Sequence, residues 1–214
     1  MALVFSDIEI VAALATILVV VYFLGTYWKH RILRRYARWF EEKFSRRAKV
    51  KYASFGHAGL RIKCEMNISS DGVKELEFAL TLGARENLMY YPYALVTRDY
   101  DKVNCWATLT SPVRFQVEIT RKKKKLDPTW ETAGMEEAPI PELTKLGYRI
   151  YTTGSDYANH VVRETGLPGR MKDLGIVDSL SLEEEPSRLH LVARLRESDL
   201  PKLIELVSSV GRSV

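Results

Sequence analysis

The chain has 214 residues, with 32 Lys and Arg against 27 Asp and Glu and a net charge of +5. The excess is local: residues 1–28 carry −2 through Asp7 and Glu9, residues 29–51 carry +8, and −1 is left for residues 52–214. A nucleic-acid surface spread over the whole domain is therefore not indicated, and two cysteines, Cys64 and Cys105, are too few and too far apart for a disulfide scaffold or a zinc site.

The first predicted element is a membrane span. Ile10 to Trp28 contains no charged residue. As a helix this run is about 28 Å long, against a hydrocarbon core of about 30 Å. Only a helix can carry a lone segment across, because lipid offers the backbone no hydrogen-bond partner. A cleaved signal peptide would need a basic start and a small-residue cleavage site. Here the start is acidic, and Tyr27-Trp28-Lys29-His30 follows the apolar run. No Lys or Arg precedes the span, whereas ten of the residues from Lys29 to Lys51 are basic. Positive charge stays on the cytoplasmic side, so the N-terminus is expected outside and the rest of the chain in the cytoplasm.

A second helix is expected over His30 to Lys49. Leu33, Tyr36, Ala37, Phe40 and Phe44 recur at three- and four-residue spacing, with Ile32 and Trp39 beside that stripe. A basic helix with an aromatic apolar face suits the headgroup boundary, and its stripe could equally pack on its own domain. The expected membrane-interface residues are Tyr27, Trp28, Lys29, Arg31, Arg34, Arg35, Arg38, Trp39 and Phe40. The expected divisions are 1–28 as anchor, 29–51 as basic juxtamembrane helix and 52–214 as a cytoplasmic domain.

From Tyr52 the period changes to two. Leu60, Ile62, Cys64 and Met66 alternate with polar neighbours, as do Leu76, Phe78, Leu80 and Leu82, which predicts a hairpin. The glycosylation triplet Asn67-Ile68-Ser69 falls on the wrong side of the membrane for use. Residues 85–97, with Pro92 inside them, predict a short helix or an irregular crossing. Strands are expected over Val103 to Thr110 and over Val113 to Ile119. Residues 121–147 have no convincing period and are expected to be a mobile loop. Tyr148 to Thr153 predicts a strand, and Ser155 a helix cap. Strands over Ile176 to Leu182 and Leu189 to Leu195 flank a polar turn. A last amphipathic helix carries Leu200, Leu203, Ile204, Val207 and Val210. The fold class is α+β, a mostly antiparallel sheet with helices on one face.

Catalytic patterns are absent from the sequence. The four histidines are isolated, no glycine-rich loop follows a strand, and no nucleophile elbow occurs. An enzyme is the minority reading, since catalytic groups can meet from distant positions. No cofactor and no metal are expected. The remaining chemical signal is Arg121, Lys122, Lys123, Lys124 and Lys125. That run could be merely solvated, rest on anionic lipid, or neutralise phosphates of RNA.

The order of these parts resembles the calumin-like family, the coiled-coil-containing subunit of the PAT complex beside the protein-conducting channel. The resemblance is carried by the span, the basic helix with Trp39-Phe40, the strands Gly59 to Met66 and Glu75 to Leu82, the short strand with a polar turn over Tyr148 to Gly154, and the helix, two strands and closing helix that follow. It implies a membrane-protein biogenesis factor near the ribosome and a Sec translocon, partnered by a small intramembrane chaperone, in a minimal prokaryotic or archaeal form. The family's acidic lumenal region and calcium binding are not carried over, because seven residues precede Ile8. Its long coiled coil has no counterpart before Val214. The competing expectations are a membrane-tethered adaptor or subunit of another complex, and a membrane-bound enzyme.

Overall fold

The computed structural model describes residues 7–55, 59–66, 72–87, 90–97, 100–121, 134–174 and 177–214. The first element, α1 (Asp7–Phe44), is one unbroken helix, about 57 Å long at the usual rise. The boundary expected at Trp28 and Lys29 thus falls inside a helix, because nothing between them interrupts the backbone ladder. Its N-terminal part is long and apolar enough to cross a membrane, and none of that apolar window is buried.

The chain then forms β1 (Ala48–Phe55), β2 (Gly59–Met66), β3 (Val73–Thr81), α2 (Tyr90–Thr97), β4 (Lys102–Leu109) and β5 (Val117–Arg121). β6 (Glu136–Glu137), α3 (Pro141–Lys145), β7 (Tyr148–Thr152), α4 (Ser155–Thr165) and α5 (Leu167–Leu174) follow. β8 (Val177–Glu183) and β9 (Arg188–Arg194) lead through a short 3-10 turn, Glu197–Asp199, into α6 (Leu200–Ser213). The strands make one sheet in the order β1-β2-β3-β4-β9-β8-β5-β7-β6. Every pairing in it is antiparallel. The protein is therefore α+β.

Strand alternation sorts the two faces. Ile62, Cys64, Leu76, Phe78, Leu80, Val103, Cys105, Leu189 and Leu191 point into the core and are at most 1% exposed. The core also takes Leu33, Phe40 and Phe44 from α1 and Leu203, Leu206, Val207 and Val210 from α6. The opposite face of β1 to β3 carries ion pairs instead: Lys51–Glu65 at 2.6 Å, Arg61–Glu77 at 2.6 Å and Lys63–Glu75 at 2.9 Å. β1 is an edge strand, mostly exposed, and its Lys49 and Lys51 guard it against stray pairing.

Four sequence expectations need correction. β1 begins at Ala48, so the helical period ends earlier than Lys49 and the strand starts before Tyr52. The strand expected from Val113 starts only at Val117. Val113 instead donates its N–H to Ser187 Oγ at 3.1 Å, and Gln116 donates its N–H to Thr153 Oγ1 at 3.0 Å, so this stretch bonds outside a ladder. Ser155 is the first residue of α4 and not its cap; Gly154 holds that position without a side-chain bond. Within the loop expected at 121–147, Arg121 ends β5 and residues 136–145 form β6 and α3, while residues 122–133 lie outside the described residues. The Asn67-Ile68-Ser69 triplet lies outside them too.

Candidate membrane-facing site

The inner half of α1 presents two faces. Gly25, Lys29, Leu33, Phe40 and Phe44 are its buried residues. Their spacings of four and seven keep them on one stripe of a 3.6-residue helix. Phe40 is fully buried, its ring 4.7 Å from Phe78, 5.0 Å from Trp39 and 6.1 Å from Phe44. Tyr52 Oη on β1 donates to the Ala37 carbonyl at 3.2 Å and ties the helix to the sheet edge. Burial, and then the Glu41 carboxylate, push the Tyr52 hydroxyl up to about 12.

Lys29 and Phe40 therefore do not belong to the lipid-facing set expected from sequence. Lys29 is 1% exposed, and its Nζ lies 2.5 Å from Glu86 Oε2. A buried ammonium is costly in free energy unless a carboxylate meets it. Glu86 comes from the β3–β4 connection, which touches the helix at Gly25 as well. A β-carbon on Gly25 would sit 2.5 Å from the Arg85 carbonyl oxygen and 2.6 Å from Glu86 Cα. Glycine is thus required there by close approach of two backbones.

The remaining expected residues, Trp39 apart, face outward. Tyr27 and Trp28 are more than 60% exposed. Arg31, Arg34, Arg35 and Arg38 are exposed, and Trp39 is half-buried. Trp28, Arg31, Ile32, Arg35, Arg38, Trp39 and Glu42 line one side of an open groove of about 700 Å³, and Glu197 closes the other. Trp28 and Trp39 stand about 16 Å apart along the helix axis, with three guanidiniums between them. Glu197 Oε2 accepts from Arg35 Nε at 2.8 Å and fixes one of the three. Planar guanidiniums bind phosphate oxygens in a bidentate manner, and Trp28, where the apolar run ends, suits the headgroup level, with Trp39 further out along the helix. The groove can hold an anionic headgroup. Tyr36, half-buried behind it, has its hydroxyl pKa raised by burial and then by Asp101 and Glu197.

Of the second basic cluster, Arg121 is not brought to this groove. Arg121 ends β5, its guanidinium 5.8 Å above the Tyr148 ring. β5 stands six strand steps from β1 in the sheet, about 29 Å at ordinary strand spacing. Lys122, Lys123, Lys124 and Lys125 lie outside the described residues.

Sequence reasoning missed Glu86 and Glu197, since neither sits in a periodic segment and each acts on a residue far along the chain. It also missed the row that assembles on the face opposite the helices. There the strand registers align Glu77, Trp106, His190, Ser181, Glu118 and Tyr151 across six strands. Trp106 stacks on His190 at 4.9 Å, with the Arg188 guanidinium 5.7 Å from the indole. Among the described residues no group of three or more His, Cys, Asp and Glu could hold a metal ion.

No protein-family model matches the chain. No curated protein matches it either. Among solved structures, the mycobacterial trehalose monomycolate transport factor A, TtfA, is similar over 78% of this chain and 71% of that one, with 8% identity and a TM-score of 0.42. A likeness of that degree carries no argument about fold or activity.

Proposed function

We propose that this protein is a single-pass accessory factor for membrane-protein biogenesis, its folded domain working on the cytoplasmic side near the ribosome and a Sec-type translocon. The observation that carries the reading is the rigid join between anchor and domain. One helix runs from the exposed apolar window into the core, where Lys29 meets Glu86 and Phe40 meets Phe78. Such a join holds a folded body at a fixed height above a bilayer, which a docking factor needs and a flexible tether would not give. The positive-inside asymmetry supports the cytoplasmic side. The near end of the arginine groove, at Trp28 and Arg31, supports contact with an anionic leaflet. The order of parts shared with the calumin-like family supports the biogenesis role, with the exposed span offered to a small intramembrane chaperone.

In this reading Arg121 to Lys125 contact ribosomal RNA, a contact that weakens steeply with salt. The full-length protein in mild detergent is expected to co-sediment with ribosomes at low salt. Replacing Lys122, Lys123 and Lys124 by Glu should abolish this. Unchanged sedimentation would favour the second reading, a membrane-tethered adaptor of another complex. The lipid-facing groove favours that reading as well, since it needs no RNA. Chains co-eluting with the protein from native membranes would then name the complex. Protease protection of a C-terminal tag tests the orientation.

A further inference from the structure

β3 and β4 are antiparallel neighbours, which a two-residue turn could join. Residues 82–101 make a long excursion between them instead. Asp101 closes its base: Oδ1 accepts the Gly83 N–H at 2.9 Å, and Oδ2 accepts from Arg85 Nη2 at 2.5 Å. The start of the excursion is fastened to α1, by Arg85 and Glu86 against Gly25 and by Glu86 against Lys29. Gly25 lies three residues, about 4.5 Å, inside the end of the uncharged run at Trp28. The excursion therefore touches the helix at the level where the apolar segment ends.

α2 starts from that point. The Tyr90 N–H donates to the Asn87 carbonyl at 3.0 Å, and the Tyr90 ring lies on Gly83, where a β-carbon would come within 2.0 Å of Oη. The helix has the sequence Tyr-Tyr-Pro-Tyr-Ala-Leu-Val-Thr and carries no charge. Val96 is 85% exposed and Tyr93 59%. An uncharged, tyrosine-rich helix with Val96 and Tyr93 exposed at this height matches an interfacial element, because tyrosine places an apolar ring and a polar tip across the headgroup boundary.

We infer that α2 is a second, monotopic lipid contact, lying in the interface of the leaflet from which α1 emerges. The inference rests on α1 crossing the bilayer as proposed. It makes the membrane footprint a two-point one, so the domain is held against rotation about α1 as well as at a fixed height.

The test uses the full chain in phosphatidylcholine–phosphatidylglycerol vesicles. Single added cysteines at Val20→Cys, Val96→Cys and Arg163→Cys carry an environment-sensitive fluorophore. Cys64 and Cys105 are buried, and protein without an added cysteine gives the background. Lipids brominated near the headgroup or deep in the chain act as quenchers. The expected result is deep quenching at position 20, shallow quenching of about half the emission at position 96, and none at 163 on exposed α4 surface. Quenching at 20 with a water-like, unquenched label at 96 overturns the inference and leaves the span intact. A blue-shifted but unquenched label at 96 also overturns it, because protein and not lipid then covers α2. Loss of quenching at both 20 and 96 overturns the spanning reading itself.

Discussion

Phe40, deep in the C-terminal half of the anchoring helix, places its ring 4.7 Å from Phe78 at the middle of β3, and neither residue has any exposed surface. The anchor is thus part of the hydrophobic core and not an appendage. Replacing Phe40 by Ala removes the contact and leaves a cavity, so a loss of about 3–5 kcal/mol is expected. Urea unfolding of the full chain in detergent, followed by tryptophan fluorescence, measures it. A loss under about 1 kcal/mol would mean the helix does not pack as described.

The Lys29–Glu86 pair should behave asymmetrically. Glu86→Gln strands a buried ammonium and should cost about 3 kcal/mol, the low end for a buried pair because Glu86 keeps 22% of its surface. Lys29→Met with Glu86→Gln removes both charges and should recover most of that loss. Thermal unfolding of the two single variants, the double variant and the parent closes the cycle. Additive losses would show that the two groups do not interact.

Tyr52 gives a stability change at alkaline pH. Its folded pKa of about 12 lies above the ordinary 10.0, so the folded state holds the proton more tightly. The contribution is complete below pH 10 and is lost as pH rises through about 12. In Tyr52→Phe the bond to the Ala37 carbonyl is gone, about 1 kcal/mol of stability with it. The difference in tyrosinate absorbance between the two proteins should titrate near 12. A difference centred on the ordinary 10.0 would contradict the packing of Tyr52 against the helix.

Cys64 is fully buried, and burial pushes its thiol up to about 12, while Cys105 is shifted in the same direction by burial and then by Cys64 and Glu77. Thiolate is the reactive form. Both cysteines should therefore resist a thiol reagent at neutral pH in the folded chain and react at once in denaturant. Fast labelling of the folded chain would place one of them at the surface.

Much of this architecture is legible in the residue order, and the exceptions share a cause. The strands around Ile62, Phe78, Cys105 and Leu191 appear at a period of two because one face of each is buried. The stripe Leu33, Phe40 and Phe44 appears at helical spacing for the same reason. The start of β5 differs because Val113 and Phe115 are apolar in alternation, while the backbone bonds of this stretch run from Val113 to Ser187 and between Gln116 and Thr153. Lys29 was expected at the lipid surface because a lysine after a span usually sits there. Its burial depends on Glu86, which no local pattern connects to it.

Local chemistry alone, an uncharged stretch followed by a crowd of cations, decided that this chain carries a helix long and apolar enough to cross a membrane. Alternation and turn residues decided most strands. Only the tertiary structure decided that the anchor and the basic helix are one rod, that three arginines share a groove with Glu197, and that Gly25 receives the backbone of residues 85 and 86. Those outcomes depend on residues far apart in the chain. Their meeting is set by how the nine strands are ordered and where the helix lands on them, and neither is encoded in any window of neighbouring residues.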